Sequence, residues 1–291
     1  MIDYHKLKNW QFEDVQHNYS TDFSMLYALS VGVGSDPDDE RQLQFVNDVA
    51  SSTPLALPSL STVVGFPGTW MRDPGTGIDV LKIVHGEELI VLHEPMSAAA
   101  NMMARHRVTR IVDKGEGRGA TVTYEKELFE TGSGNKIATI THTTFCRGNG
   151  GFSALNGVTD ISPPAPPKVP EGPPDLIFDL KTMPQQALLY RLLADRNPLH
   201  SDPATAKKAG FDKPILHGLC TYGVATYALL ASCCDHDPAR LKTMFTRFSN
   251  PVMPGETIRM EMYRKPDGVA FRARVLDRNV VALDSGFATF T

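Results

Sequence analysis

An acid, an amide and an imidazole lie close together in the segment Asp195-Arg196-Asn197-Pro198-Leu199-His200. Reference pKa values of about 3.9 for Asp and 6.5 for His give one anionic and one near-neutral group at pH 7. Such a pair can take a proton from a bound water and return one, and the amide of Asn197 can hold that water because it both donates and accepts hydrogen bonds. Asp and Asn before Pro are also ordinary turn formers. The segment therefore indicates a water-activating site, with a purely structural turn as the alternative.

A glycine further along the chain offers a second catalytic element. Gly218 directly precedes an apolar run, residues 219–233, for which the pattern predicts a helix. The first backbone N–H groups of a helix have no partner within the helix and lie at the positive end of its dipole. The Gly218 N–H is therefore a candidate donor to an oxyanion, and a glycine lets a ligand approach the backbone closely.

Helix and strand patterns follow the same coarse order on both sides of a proline-rich segment. That segment, residues 162–174, is too dense in proline for a helix or a sheet, so it predicts an extended linker between domains 1–161 and 175–291. The first domain is predicted to have a helix near residues 22–29 and strands near 89–92 with 104–112, 120–129 and 136–146. The second is predicted to have helices near residues 203–209 and 219–233 and strands near 257–263, 269–276 and 281–290.

This order of elements predicts an α+β fold. A long helix followed by an antiparallel meander buries its apolar face when the sheet wraps around it. Pro95-Met96 before the first set of strands resembles Pro251-Val252-Met253 before the second. The two halves therefore look like a diverged duplication.

The composition narrows the class of function. The chain has 291 residues, 42% of them hydrophobic, and a net charge of −4 with both signs scattered. A nucleic-acid or membrane-surface partner would require a basic face, so neither is predicted, and no apolar stretch is long enough to span a membrane. The four cysteines have no metal-type spacing, and no convincing cluster of metal-ligating residues occurs, so no metal site is predicted.

The same features predict a cytoplasmic enzyme. Free, buried thiols are typical of a reducing compartment, the first residues lack a signal-peptide pattern, and the last residues lack a peroxisomal address. Six further histidines show no paired spacing and are interpreted as surface or structural residues: His5, His17, His93, His106, His142 and His236.

The pattern from Tyr190 through Asp195, Asn197 and His200 to His217-Gly218 resembles the hydratase 2 motif of the MaoC-like, (R)-specific enoyl-CoA hydratases. Other segments, in the same order, extend the resemblance over nearly the whole chain: Tyr27-Ala28-Leu29, Val31-Gly32-Val33-Gly34, His85-Gly86-Glu87, Asp113-Lys114-Gly115, Arg247-Phe248, Pro251 and Pro254-Gly255. The resemblance implies a double hot-dog fold, in which two halves pair edge to edge, and a homodimer. It also implies hydration of trans-2-enoyl-CoA to (3R)-3-hydroxyacyl-CoA with no cofactor, since CoA is part of the substrate.

The resemblance assigns roles to individual residues. In the family, the residues at the positions of Asp195, Asn197 and His200 are catalytic and hold the water. The residue at the position of Gly218 contacts the thioester oxygen there. Contacts with the CoA thioester are carried over to four further residues: His85, Gly86, Lys114 and Phe248. Each of these four has an ordinary structural alternative, as a turn residue, a solvated lysine or a core phenylalanine.

One departure from the family pattern bears on the substrate. Leu193-Ala194 stand where family members commonly have a small pair such as Ser-Gly before the Asp. The extra bulk could narrow the pocket or fill the core, so the acyl group that the site accepts is in doubt. The first half lacks an equivalent of the motif and is predicted to form the tunnel for the acyl chain.

Three other functions remain open. A hot-dog thioesterase would direct a carboxylate and water at the same thioester, although the Asn-Pro-Leu-His context favours hydration. A 3-hydroxyacyl thioester dehydratase would run the same chemistry in reverse, on a substrate carried by CoA or an acyl carrier protein. A non-catalytic acyl-CoA-binding module would be expected to have lost Asp195 or His200, and both are present.

Overall fold

The computed structural model describes residues 1–49 and 53–291, and its main feature is one antiparallel sheet of ten strands. The strands are β1 (Val15–Tyr19), β2 (Ile83–Leu92), β3 (Ala100–Asp113), β4 (Ala120–Glu130), β5 (Lys136–Cys146), β6 (Leu176–Lys181), β7 (Leu241–Phe248), β8 (Thr257–Lys265), β9 (Gly268–Val275) and β10 (Val280–Phe290). They lie in the order β1-β3-β4-β5-β2-β7-β10-β9-β8-β6.

The two halves of the sheet follow the same path. The first half runs β1-β3-β4-β5-β2 and the second runs β6-β8-β9-β10-β7, so β2 and β7 meet at the centre. At this seam Glu87 lies opposite Arg247, and Arg247 Nη2 lies 2.6 Å from Glu87 Oε1. The repeated path agrees with a diverged duplication, and the predicted α+β double hot-dog arrangement is confirmed.

The helices are α1 (Tyr4–Lys8), α2 (Thr21–Ser30), α3 (Glu40–Leu43), α4 (Leu60–Val63), α5 (Ser153–Asn156), α6 (Gln186–Tyr190), α7 (Pro203–Lys208) and α8 (Gly218–Cys233). Residues 220–230 of α8 are all buried, as expected for a helix that the sheet surrounds. Gly223 lets the end of α2 pack closely on α8, because a Cβ at this position would lie 2.6 Å from Val31 Cγ1.

The first half is covered differently. There the four-residue helix α4 contacts β5, and the buried Lys126 of β4 fixes it. The Lys126 ammonium donates to the carbonyl oxygens of Ser61, Thr62 and Val64, at 2.7, 2.9 and 2.6 Å. A cation at the end of a helix satisfies carbonyls that have no partner within the helix.

The sequence patterns located the longer elements. Helices α2, α7 and α8 and strands β3, β4, β5, β8, β9 and β10 lie where they were predicted. Strands β1, β6 and β7 were not predicted, and β2 begins at Ile83, well before the predicted residues 89–92. The pairing of β2 with β5 is irregular between His85 and Glu87, which disrupts the period-2 pattern by which strands are recognised. Within the described residues, no helix is long and apolar enough to cross a membrane.

Candidate active site

The motif segment forms a turn after α6. Residues 198–200 make one 3₁₀ turn, which Asn197 caps by accepting the Leu199 N–H at 3.2 Å. The Asn197 N–H in turn donates to Asp195 Oδ1 at 2.8 Å. Asn197 therefore has the structural role that its position before proline suggested, and its side-chain NH₂ group can still donate to a water.

The tautomer of His200 follows from one contact. Nδ1 of His200 lies 2.9 Å from the carbonyl oxygen of Ile215, which can only accept, so Nδ1 carries the proton. Nε2 then keeps its lone pair. Burial lowers the pKa of His200 below its usual value of 6.5. His200 is therefore neutral at pH 7, with Nε2 as a base.

His217 joins this turn to the start of α8. Its ring stacks on that of His200, with centroids 3.8 Å apart and planes at 28°. Nε2 of His217 donates to the carbonyl oxygen of Asp195 at 2.9 Å. Burial, together with the neighbouring His200, lowers the pKa of His217 to about 3, so it remains a neutral donor. The sequence placed His217 in the motif without a role, and the structure makes it the residue that holds the Asp195 turn against α8.

The acid and the base lie at the distance that one water can bridge. Asp195, His200 and His217 each offer one side-chain atom, and these atoms lie within 4.8 Å of one another. Two hydrogen bonds of ordinary length through one oxygen span up to about 5.6 Å.

Gly218 is the first residue of α8. Among the described residues, none accepts a hydrogen bond from its N–H, and His217 provides no side-chain cap. The ring of Phe248 lies against it: a Cβ at position 218 would be 3.1 Å from Phe248 Cε1. The glycine thus leaves an N–H free and leaves space for Phe248.

A second histidine pair lies on the other side of Phe248. The ring of His85 is 4.1 Å from that of Phe248 and 3.8 Å from that of His142. Glu88 Oε2 lies 2.9 Å from His85 Nε2 and 3.0 Å from His142 Nδ1. We call His85, Glu88 and His142 the His-Glu-His cluster.

A bulge explains how this cluster forms. Residues three apart on a regular strand point to opposite faces, but the irregularity between His85 and Glu87 puts His85 and Glu88 on one face. Gly86 permits it, because a Cβ there would lie 3.1 Å from the carbonyl oxygen of Thr143. Glu88 lies directly opposite His142 of β5. Gly86 therefore has a backbone role in the structure, beside the CoA contact that the resemblance assigned to it.

Within the His-Glu-His cluster, Glu88 is ionised and His85 is neutral at pH 7. Burial raises the pKa of Glu88, but the charge and hydrogen bonds of His142 and His85 outweigh it and lower the value to about 2. Burial and the neighbouring His142 lower the pKa of His85 to about 4. The sequence interpretation missed Glu88 and took His142 for a structural or surface residue, because their contact depends on the pairing of β2 with β5.

The remaining predicted residues lie apart from these contacts. Lys114 is exposed in the turn between β3 and β4, and no described contact joins it to Phe248 or Gly218. Leu193 and Ala194 are partly buried and pack against the main hydrophobic core. The bulk at Leu193-Ala194 therefore fills the core.

Two groups of described residues could offer three ligand atoms to a metal ion: Asp195 with His200 and His217, and the His-Glu-His cluster. Hydrogen bonds already account for both arrangements. In the first group the two imidazoles donate to backbone carbonyls, and in the second both contact one carboxylate oxygen. The absence of a metal stays a prediction.

Comparisons with known proteins identify the family of the chain. A family model described as MaoC like domain matches residues 167–284, and one described as MFE-2 hydratase 2 N-terminal domain matches residues 17–148. The Arabidopsis thaliana protein named Enoyl-CoA hydratase 2, peroxisomal, is 35% identical, over 93% of this chain and 90% of the relative. The Mycobacterium tuberculosis 3-hydroxyacyl-thioester dehydratase Y is 37% identical, over 87% of this chain and 84% of the relative.

A solved structure leads to the same assignment. The crystal structure of a MaoC-like dehydratase from Phytophthora capsici matches with a TM-score of 0.86 and 31% identity, over 100% of this chain and 99% of that one. The resemblance inferred from the motif is thereby confirmed. The chain belongs to the MaoC-like enoyl-CoA hydratase 2 family of hydro-lyases.

Proposed function

We propose that the chain hydrates trans-2-enoyl-CoA to (3R)-3-hydroxyacyl-CoA. The observation that carries this function is that Asp195, His200 and His217 each bring one side-chain atom within 4.8 Å of the others, at the N-terminus of α8, with His200 neutral. Family membership supports the same reaction, since the Arabidopsis relative is named an enoyl-CoA hydratase. Asp195, Asn197 and His200 are the proposed catalytic and water-holding residues.

The proton balance of the reaction fits one acid and one base. The water oxygen bonds to C3 while His200 Nε2, assisted by the carboxylate of Asp195, takes one proton from it. The C2–C3 π electrons move toward the thioester, and a proton from the Asp195 and His200 pair then bonds to C2. The sum is the addition of one water, with no electron donor or acceptor required and with both groups added from the same side.

The thioester oxygen requires a donor while it carries negative charge. The Gly218 N–H has no acceptor among the described residues and lies at the positive end of the 16-residue helix α8. One such donor is typically worth about 10²–10³ in rate. Phe248 and His85 would then border the thioester, and Lys114 would reach the CoA phosphates from its exposed turn.

The decisive experiment combines turnover with stereochemistry. The purified protein is incubated with crotonyl-CoA and decenoyl-CoA while enoyl absorbance and free thiol are followed. Loss of absorbance without thiol release is expected. Thiol release would instead indicate a thioesterase, and binding without any reaction would indicate a non-catalytic module.

The configuration of the product then tests the family mechanism. Chiral chromatography is expected to show the 3R alcohol, and an (S)-specific 3-hydroxyacyl-CoA dehydrogenase is expected to form no NADH from it. Robust NADH formation without an epimerase would contradict the proposal even if hydration occurs.

Dehydration of a 3-hydroxyacyl thioester is the second candidate, favoured by the name of the M. tuberculosis relative. The same residues serve both directions. Comparing kcat/KM for the two directions, and for CoA and acyl-carrier-protein thioesters, would identify the preferred substrate.

We also propose a homodimer of double hot-dogs in a reducing, cytoplasmic compartment. Strands β1 and β6 end the sheet on its two sides, and the four cysteines are free. A single 31.9 kDa species in light scattering would contradict the dimer. Recovery of the protein with peroxisomes in cell fractionation, the compartment in the Arabidopsis relative's name, would contradict the location.

A further inference from the structure

Three buried hydroxyl groups lie between four helices. They belong to Tyr27 of α2, Ser59 at the start of α4 and Tyr190 of α6, and all three residues are fully buried. The rings of Tyr27 and Tyr190 are 6.1 Å apart. The fourth helix, α8, comes close at Gly223, where a Cβ would lie 3.2 Å from the Tyr27 hydroxyl oxygen.

These hydroxyls are neighbours that do not bond to one another directly. Among the described residues, the hydroxyl oxygens of Tyr27, Ser59 and Tyr190 have no hydrogen-bond partner. Burial raises the pKa of Tyr27, and the nearby hydroxyls of Ser59 and Tyr190 act against that rise. Burial also raises the pKa of Tyr190 well above its usual value. Both tyrosines are therefore neutral, and three hydroxyls share one buried region in which none of them is satisfied.

One water would satisfy this arrangement. An unbonded buried hydroxyl is costly, and buried polar groups in folded proteins nearly always have a partner, either in the protein or in an ordered water. A buried water typically makes about three hydrogen bonds. Three neutral hydroxyls, each able to donate and to accept, offer that number of partners.

The segment that carries Ser59 is fixed by other contacts. Lys126 binds three carbonyl oxygens in and directly after α4. The Thr62 hydroxyl also donates to the carbonyl oxygen of Ser59, at 2.8 Å. Ser59 is therefore held in place relative to Tyr27 without a direct bond between their hydroxyls.

Tyr190 connects this region to the proposed reaction centre. Its ring lies 4.9 Å from that of His217. His217 in turn stacks on His200 and donates to the backbone carbonyl oxygen of Asp195. A shift of the Tyr190 ring would therefore move His217 and, with it, the proposed acid and base.

We propose that Tyr27, Ser59 and Tyr190 bind one ordered water, and that this water keeps Tyr190 packed against His217. Tyr27 and Tyr190 are then positioning residues, since they act through His217 and exchange no proton with the substrate. The positioning role rests on the proposed function, whereas the water site itself does not depend on it.

A high-resolution crystal structure of the wild-type protein tests the water directly. One water is expected within about 2.5–3.0 Å of the hydroxyl oxygens of Tyr27, Ser59 and Tyr190. The density of this water is expected to weaken or disappear in Tyr27→Phe, which keeps the ring and removes one partner. Direct bonds between the hydroxyls of the wild type, with no water, would overturn the inference.

Turnover tests the positioning role. Tyr27→Phe and Ser59→Ala, each checked for folding by circular dichroism, are expected to lower kcat about fivefold, the equivalent of one hydrogen bond, with KM unchanged. The double variant is expected to lose about the same factor as either single variant, because both hydroxyls hold one water. Tyr263→Phe is the matched control: its buried hydroxyl contacts the carbonyl oxygen of Gly172, and kcat is expected to stay unchanged.

The outcomes separate the water site from the proposed function. A wild-type protein that contains the water but does not hydrate enoyl-CoA would refute the hydratase function and leave the water site standing. Hydration with a normal kcat in both folded single variants would refute the positioning role. Losses in kcat that multiply in the double variant would mean that the two hydroxyls act independently, which would overturn the shared water.

Discussion

Each half of the molecule places a close pair of imidazoles beside one carboxylate, and the halves differ in what that carboxylate contacts. In the second half the two histidines donate to the backbone carbonyls of Ile215 and Asp195, and the Asp195 carboxylate has one described bond, from the Asn197 N–H. In the first half both histidines contact one oxygen of Glu88. The ring separation is 3.8 Å in both.

The difference supports the proposed reactivity of the second set. When the imidazoles are held by backbone carbonyls, the carboxylate and one ring nitrogen remain free for a water. When the imidazoles contact the carboxylate itself, as at Glu88 Oε2, that oxygen is already occupied. Both sets combine two imidazoles with one carboxyl group, but Glu88 is buried and Asp195 is half-buried. The proposed acid/base chemistry of the second half therefore depends on these hydrogen-bond partners and on the exposure of Asp195.

Removing the free groups of the second half should have the largest effect. Asp195→Asn and His200→Gln are near-isosteric, and each is expected to lower kcat by at least about 10²-fold, as for loss of a general acid or base. Circular dichroism checks that each variant is folded. Near-normal turnover in a folded variant would show that the residue has another role.

Filling the space between Gly218 and the ring of Phe248 should have the next largest effect. In Gly218→Ala the new Cβ would lie 3.1 Å from Phe248 Cε1, so the ring or the start of α8 must shift. Overpacking of this size costs about 1–3 kcal/mol, and kcat/KM is expected to fall at least about tenfold. Combining it with Phe248→Leu is expected to restore part of the loss. If the double variant is no better than Gly218→Ala alone, contact with Phe248 is not the cause.

Removing the Glu88 charge from the His-Glu-His cluster should affect stability more than turnover. Glu88→Gln leaves the two half-buried imidazoles without a charged acceptor, and the free energy of unfolding at pH 7 is expected to fall by about 1–3 kcal/mol in urea titrations. The kcat is expected to change by less than tenfold. Glu125→Gln, which removes a carboxylate paired with the exposed Arg107, is the control, with a change expected below about 1 kcal/mol.

The difference in unfolding free energy between the wild type and Glu88→Gln should depend on pH in one direction. The pKa of Glu88 is lowered from 4.5 to about 2 in the folded chain, so its ionised form stabilises the fold above pH 4.5. That contribution is lost as the pH falls toward 2. The stability difference between the wild type and Glu88→Gln should therefore shrink as the pH is lowered through this range, and a difference that grows would contradict the assigned ionisation.

The smallest effect is expected for Lys114, which lies apart from the proposed catalytic residues and from the His-Glu-His cluster. Lys114→Ala is expected to raise KM for CoA thioesters with little change in kcat, because a phosphate contact stabilises the ground and transition states alike. Pantetheine thioesters, which lack the nucleotide, should show a smaller change. An equal change in KM for both substrates would mean that Lys114 does not contact the nucleotide.

The turn from Asp195 to His200 and the central helix could be predicted because their signals are local. The residues from Asp195 to His200 are adjacent in sequence, and Gly218 is followed by an uninterrupted apolar run. The double hot-dog arrangement followed from the family resemblance, while the pattern of helices and strands alone led to the α+β class.

The His-Glu-His cluster could not be predicted because it depends on strand pairing. Glu88 meets His142 only through the register of β2 with β5, and it shares a face with His85 only because of the bulge at Gly86. Phe248 was taken from the resemblance, but its strand β7 was not predicted, and its contact with His85 requires the seam between the halves. Contacts between distant segments leave no periodic signal in the chain.

The seam between β2 and β7 also has a kinetic consequence. The ion pair of Glu87 with Arg247 joins positions 160 residues apart, whereas the strands within each half connect to much nearer neighbours. Contacts of long sequence separation form late in folding, because a large loop must close first. Phe248 comes from one side of this seam and His85 from the other. We therefore expect enzymatic activity to return after secondary structure during refolding, so that activity reports the docking of the two halves.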